Sequence, residues 1–394
     1  MPRPLTNTNG CEVTTAEDVD QAASTVVSPS ESTDRLPGPD VVRAVALIGV
    51  VIMNYHGYLI FRGSGVIPSE TALQRFFHPF EGPLSTRFAS TFVLTAGVGI
   101  TLLTRKVVSD LRVGRERARE AVTEMRWRLV RRGLVLYVLG QVLDVIWSGT
   151  IIFFYGAMFV VAAGLFALSS RVIVAIGIAA ALAGWWIEMW AFWQREDGQS
   201  VSWLSSPGQN SIRRFVFDLM VNGTHPLLPW LVFLCAGIVL GRALQMANWR
   251  LWCSGIGLGL FFVALIASEL ADTAFTQTLL SRHPYDRGLV YVASALGSSL
   301  VAFAGISWLA DQAAGAEIID PLRRAGQMTL TLYIAHILVF NLLVDWLGIV
   351  EPDGLGTALA LALCFWVVAI AAGMLWNRRF GRGPVERVYR AIGG

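Results

Sequence analysis

Five histidines stand in this 394-residue chain, at 56, 78, 225, 283 and 336, and imidazole is the side chain whose ordinary pKa lets it exchange a proton near neutrality. His78 has the most suggestive setting. It lies in the polar stretch Phe77-His78-Pro79-Phe80-Glu81-Gly82, between an apolar segment ending in Met53-Asn54-Tyr55-His56 and another running from Phe88 to Leu103. A lone loop histidine is ordinarily solvated surface. Here Phe76, Phe77 and Phe80 are expected to pull the loop onto an apolar bundle, partly burying the ring at a fixed position. A ring so held can take a proton from a hydroxyl or amine as general base, or can itself carry an acyl group, with Glu81 to orient it.

The other polar residues in apolar surroundings carry two readings each. Asn54 closes an apolar helix, where an amide needs a partner, so it serves either the chemistry or a bridge to another helix. His56 is expected to reach interfacial water. The segment Asn222-Gly-Thr-His225-Pro-Leu-Leu-Pro-Trp230 brings a second imidazole to the same mouth through a kinked entry. His336 falls near the middle of an apolar segment; an ionisable group at that depth points to function, and the plain alternative is a neutral ring bonded to a neighbouring helix. His283, in His283-Pro-Tyr-Asp286-Arg287, reads as structural first and substrate-positioning second. Asp40 and Arg43 open the first apolar segment as an interfacial helix start or as an anion clamp.

Several chemistries find no support. Cys11, Cys235, Cys253 and Cys364 have neither ligand nor disulfide-framework spacing, so no metal is expected. No phosphate-binding glycine loop, no HExxH and no nucleic-acid module is present.

The elements that must position these residues are membrane helices. The chain is 54% apolar and 15% charged, against about 25% charged in a soluble domain. Ten apolar segments are readable, at about 41–61, 86–104, 133–149, 150–169, 171–193, 227–243, 251–271, 288–309, 326–348 and 355–376. Because lipid offers no partner for a backbone amide, each is expected to be a helix. The fold class is therefore all-α, a polytopic transmembrane bundle of about ten spans. Residues 105–132 carry ten cations against four acids, which places that loop in the cytoplasm. Alternating from there puts both termini in the cytoplasm, with 23 cations inside and eight outside. Residues 1–39, polar and rich in Ser, Thr and Pro, read as a disordered cytoplasmic tail; 40–376 form the bundle and 377–394 a basic cytoplasmic tail. On this topology the histidine-bearing loops face outward, while Arg43, Arg131, Arg132 and Arg323 lie inside.

Asp40-x-x-Arg43 leading to Asn54, then His78-x-x-x-Gly82, then Phe88-Ala-Ser-Thr-Phe-Val-Leu-Thr-Ala-Gly97-Val-Gly-Ile100, resembles the start of the heparan-alpha-glucosaminide N-acetyltransferase-like membrane family. Leu330-Thr-Leu-Tyr-Ile-Ala-His336 and Trp376-Asn-Arg-Arg-Phe380-Gly-Arg-Gly-Pro384-Val-Glu386-Arg-Val-Tyr-Arg390 are similar to the bacterial DUF418, YeiB-like, branch of that superfamily. The resemblance covers 40–104 and 326–390. Two departures stand out: Arg43 is followed by Ala44 where the family has glycine, and the family's acidic residue before the second span has Arg87 or Ser90 in its place.

The resemblance implies an acyl-CoA, acetyl-CoA foremost, bound from the cytoplasm, and the charge partition offers Arg43, Arg131, Arg132 and Arg323, with Asp40, to hold it there. Transfer would be to an extracytoplasmic glycan or glycolipid acceptor at the plasma membrane. His78 matches the family's catalytic histidine and Asn54 the asparagine beside it; Glu81 is assigned with them, and His225 and His336 are assigned to substrate binding. A transporter or channel for a small metabolite or lipid-linked precursor is the alternative, and self-association as a homodimer is left open. No nucleic-acid partner is expected.

Overall fold

A computed structural model describes residues 37–63, 71–204 and 212–394, without the side chains of 212–214. The tail expected over 1–39 lies almost wholly outside the described residues. Every regular element among those described is helical. In chain order they are α1 (Pro37–Arg62), α2 (Ala72–Phe76), α3 (Arg87–Val113), α4 (Ala118–Asp144), α5 (Ile152–Leu165), α6 (Ser170–Glu196), α7 (Ile212–Phe217), α8 (Leu227–Ala243), α9 (Trp249–Glu269), α10 (Ala274–Leu279), α11 (Leu289–Gln312), α12 (Ile319–Gln327), α13 (Thr329–Phe340), α14 (Leu355–Phe380) and α15 (Pro384–Gly393). Wider π turns prolong α7 over Asp218–Asn222 and α13 over Asn341–Trp346.

Each of the ten expected segments coincides with a helix, but not all are equal. Among the described residues seven helices are long and apolar enough to cross a membrane, and the pair Phe215–Asn222 and Leu227–Ala243, bent by 57°, makes up to eight. The other two segments fall on α4, whose first half is charged, and on α5, whose 14 residues span only about 21 Å against roughly 30 Å of hydrocarbon.

Burial sorts the helices by position. The most apolar stretch of α1 is 61% buried and that of α9 only 17%, so α1 is central and α9 faces outward. Small residues let backbones meet, as membrane helices require where no hydrophobic driving force separates protein from lipid. A Cβ on Gly97 or Gly237 would collide with the main chain of the opposite helix, which locks α3 to α8. Gly133 and Gly156 do the same for α4 and α5. At Gly326 a Cβ would overlap the Asp40 carbonyl, fixing α12 to the start of α1.

The helix ends gather into two sets. At one end Gln327 donates to Asp40 (3.0 Å), Arg242 donates to the Phe166 carbonyl (2.8 Å) and Arg250 pairs with Asp311. We call this the basic end. At the other, the histidine end, Arg62 pairs with Asp345, Arg87 donates to Ser294 (2.9 Å) and Arg287 pairs with Glu188 (3.0 Å). The stretch read as a basic tail is not extended: α14 runs on to Phe380, and α15 packs along α4. There Glu386 accepts from the amides of Leu330 (2.7 Å) and Thr331 (3.0 Å), capping α13. An anion belongs at those unpaired N–H groups.

Candidate active site

The loop carrying His78 is clamped from three directions. His56, expected in interfacial water, is instead buried, and its Nδ1 bonds the Phe77 carbonyl at 2.9 Å. An imidazole on the central helix is thus spent on holding the loop down. Ser85 donates to the Pro79 carbonyl at 2.7 Å. Gly82 returns so closely beneath the histidine that a Cβ would stand 2.6 Å from its carbonyl oxygen, so the spacing His-x-x-x-Gly has a steric cause. Of the three phenylalanines expected to draw the loop inward, Phe80 does so, meeting Phe61 at 5.1 Å; Phe76 remains exposed.

His78 is buried, with 6% of its surface exposed. Its Nδ1 accepts from the amides of Glu81 (2.9 Å) and Phe80 (3.3 Å). Glu81 therefore orients the ring through its main chain, while its carboxylate faces solvent. Two donors on Nδ1 require a lone pair there, so the neutral ring carries its hydrogen on Nε2.

Beside this loop lies a cavity of about 630 Å³, lined by Asn54, Tyr58, Arg62, Phe80, His225 and Tyr333 among others. His78 stands behind its wall, which Pro79 and Phe80 form. Asn54 does not meet His78. Its Nδ2 lies 3.2 Å from Nε2 of His336, the bridge to a distant helix that an amide in lipid calls for. His336 is fully buried among Tyr55, Trp147, Tyr333 and Phe365, away from the cavity surface. His225 faces the cavity and packs edge-on against Trp230 at 4.6 Å, its Nδ1 without a partner. His283 stays apart, 3.7 Å from Asp286.

A second, more polar cavity of about 540 Å³ abuts the first, sharing Ser148, Gly149, Thr224 and Tyr285 with it. Asp144, Glu188, Asp218, Arg195 and Arg287 line it. Burial raises the Tyr285 phenol above its ordinary pKa, partly offset by the Arg287 charge, so it stays protonated at neutral pH. Sequence reasoning missed Tyr58, Arg62, Tyr333 and these carboxylates. Tyr333 alone carried a local signal, three residues before His336 and hence on the same helix face.

At the basic end the expected donor-binding residues form two groups. Arg43 reaches the Gly326 carbonyl at 3.4 Å and Asp40 at 3.6 Å, against the surface that Gly99 leaves open on α3. One turn earlier on α12, Arg323 and Arg324 share Asp320 at 2.7 and 2.6 Å. Burial tends to raise that carboxyl, but the two guanidiniums outweigh it and hold the pKa below the ordinary value. The second group lies on α4. Arg132 donates to the Gly394 carbonyl at 2.7 Å and stacks over Tyr389 at 5.6 Å, while Arg131 is exposed.

No group of three or more His, Cys, Asp or Glu residues that could hold a metal occurs among the described residues. No curated protein matches the chain. Two family models do: the protein family of unknown function DUF418 over residues 241–393, and the heparan-alpha-glucosaminide N-acetyltransferase catalytic family over residues 35–268. The second match spans more than half of the sequence, and the chain, an all-helical multi-pass membrane protein, belongs to the heparan-alpha-glucosaminide N-acetyltransferase catalytic family.

Proposed function

We propose that the protein is a membrane acyltransferase that moves an acetyl or other short acyl group from acyl-CoA, bound at the basic end, to a glycan or glycolipid amine or hydroxyl at the histidine end. The observation that carries this reading is the cavity beside the clamped His78 loop, in a chain of an N-acetyltransferase family, with arginines gathered at the opposite end. The topology that goes with it has ten spans, α4 and α5 included. Both termini and the basic end lie in the cytoplasm, and the histidine end lies outside the plasma membrane, as the surplus of cations in the 105–132 loop favours.

In this reaction a thioester C–S bond breaks and a C–N or C–O bond forms. The proton shed by the attacking atom ends on the CoA sulfur. Arg43 and Arg323, with Arg131 and Arg132 on α4, bind the phosphates of the donor, and Asp40 keeps Arg43 in place. His225 and Asn54 meet the acceptor in the cavity. For His78 the tautomer matters. With Nδ1 filled by two amides, the ring acts as a donor through Nε2–H, stabilising charge that builds on the thioester oxygen. To act as the base expected from sequence, it would have to release the Phe80 and Glu81 amides.

The test is vectorial transfer in proteoliposomes of known orientation. With [¹⁴C]acetyl-CoA on the face of the basic end and glucosamine on the other, label should appear on the sugar. Label accumulating only when both reactants share one face would overturn the arrangement. The bent α7–α8 pair also suits a transporter, since broken helices mark transport sites; glucosamine flux without acyl-CoA would favour that reading.

A further inference from the structure

His336 has no access to either cavity but contacts a residue that lines one of them. Its Nε2 lies 3.2 Å from Asn54 Nδ2, and Asn54 lines the larger cavity. Its Nδ1 has no hydrogen-bond partner. The Asn54 Nδ2 can only donate, so Nε2 offers it a lone pair and the neutral ring carries its hydrogen on Nδ1. The ring cannot easily turn. Tyr55 donates to the His336 carbonyl at 3.0 Å, and Trp147 and Tyr333 pack edge-on against the imidazole at 5.6 and 4.8 Å. Glu386 caps the same helix within its first turn, fixing that end.

We propose that His336 is a positioning residue: its unprotonated Nε2 holds one Nδ2 hydrogen of the Asn54 amide, which fixes the side chain so that Oδ1 is presented to the cavity. There Oδ1 can accept a hydrogen bond from the attacking amine or hydroxyl and aim its lone pair at the thioester. Without His336 the amide has two orientations of similar energy, and one of them offers the acceptor a donor in place of an acceptor. The inference rests on the acyltransferase reading only in what Oδ1 is for; the orientation itself is independent of it.

The orientation is tested directly by ¹⁵N NMR of histidine-labelled protein in detergent, with the His336 signals assigned by their loss in His336→Gln. A pyridine-type Nε2 and a pyrrole-type Nδ1 are expected; a pyrrole-type Nε2 would overturn the proposal. Activity supplies the second arm, as CoA release from acetyl-CoA with and without glucosamine. His336→Leu should lower kcat about tenfold, the usual weight of one buried hydrogen bond, and leave KM for acetyl-CoA unchanged. His336→Gln, whose side-chain oxygen can replace Nε2, should recover most of the rate. His336→Asn, which is too short to reach, should not, and this pair decides the matter even where the leucine variant fails to fold. In an Asn54→Leu background, His336→Leu should add nothing further, because both changes remove one interaction. Independent, multiplying losses would sink the coupling. Loss of activity in Asn54→Leu with none in His336→Leu would defeat the positioning role alone, whereas full activity in both Asn54→Leu and His78→Ala would defeat the acyltransferase site itself.

Discussion

At the basic end, Arg323 and Arg324 divide one carboxylate between them, Arg132 is engaged with a main-chain carbonyl and an aromatic face, and Arg43 spans Gly326 and Asp40. At the histidine end, Asn54, His225 and His78 each use one polar atom or one face on the protein and line or flank a cavity with the rest. The same economy of buried polar groups thus has two results. Guanidiniums that already carry partners have fewer N–H donors left for a phosphate, so each should contribute modestly to donor affinity. Rings and amides fixed by one bond and free at the other are arranged for chemistry, and losing one should cost turnover rather than binding.

Four experiments probe that contrast, from the largest expected effect downward. His78→Ala should lower kcat for acetyl transfer by about 100-fold or more, the range for one donor aimed at a developing oxyanion, with unchanged thermal unfolding. If His225→Ala costs more than His78→Ala, the chemistry belongs to the imidazole on the cavity wall and not to the one behind it. Arg43→Ala should raise KM for acetyl-CoA about tenfold, as the loss of one hydrogen bond to a charged group predicts, and leave kcat within a factor of two or so. A fall in kcat instead would erase the distinction between the two ends. Arg132→Ala, whose guanidinium already has partners, should raise KM only about threefold; a loss equal to that of Arg43→Ala would show that its bonds are readily given up. The smallest change is expected from Glu81→Ala, within about twofold, since only the Glu81 amide touches His78. Glu81→Pro, which deletes that N–H, should reduce kcat well beyond Glu81→Ala, and equal rates for the two would dismiss the tautomer argument.

Much of this was legible one residue at a time. Apolar runs of about 20 residues can only be helices in lipid, so the positions of α1, α3, α6, α9, α11 and α14 followed from hydropathy alone. The weak cases were α4 and α5, where charge and shortness blur the same signal. Partnerships were another matter. Asn54 and His336 are 282 positions apart, and no periodicity relates residues that far separated. His56 and Phe77 illustrate the opposite failure. They are close in sequence, yet whether an imidazole at a helix end meets water or a returning loop depends on how the loop packs.

What the sequence by itself determined is the solvent in which the chain folds and the helical form of its spans, because those depend on transfer free energies that each segment carries independently. What only the tertiary structure decided is which polar atom faces which. His78 is turned to offer Nε2 because the main chain of Phe80 and Glu81 occupies Nδ1, and Asn54 is matched to His336 because Gly326 sets α12 against the start of α1 and Tyr55 of α1 donates to the His336 carbonyl of α13. The opening question of whether His78 is surface or site turns on those hydrogen bonds, which form between segments and so cannot be read from any one of them.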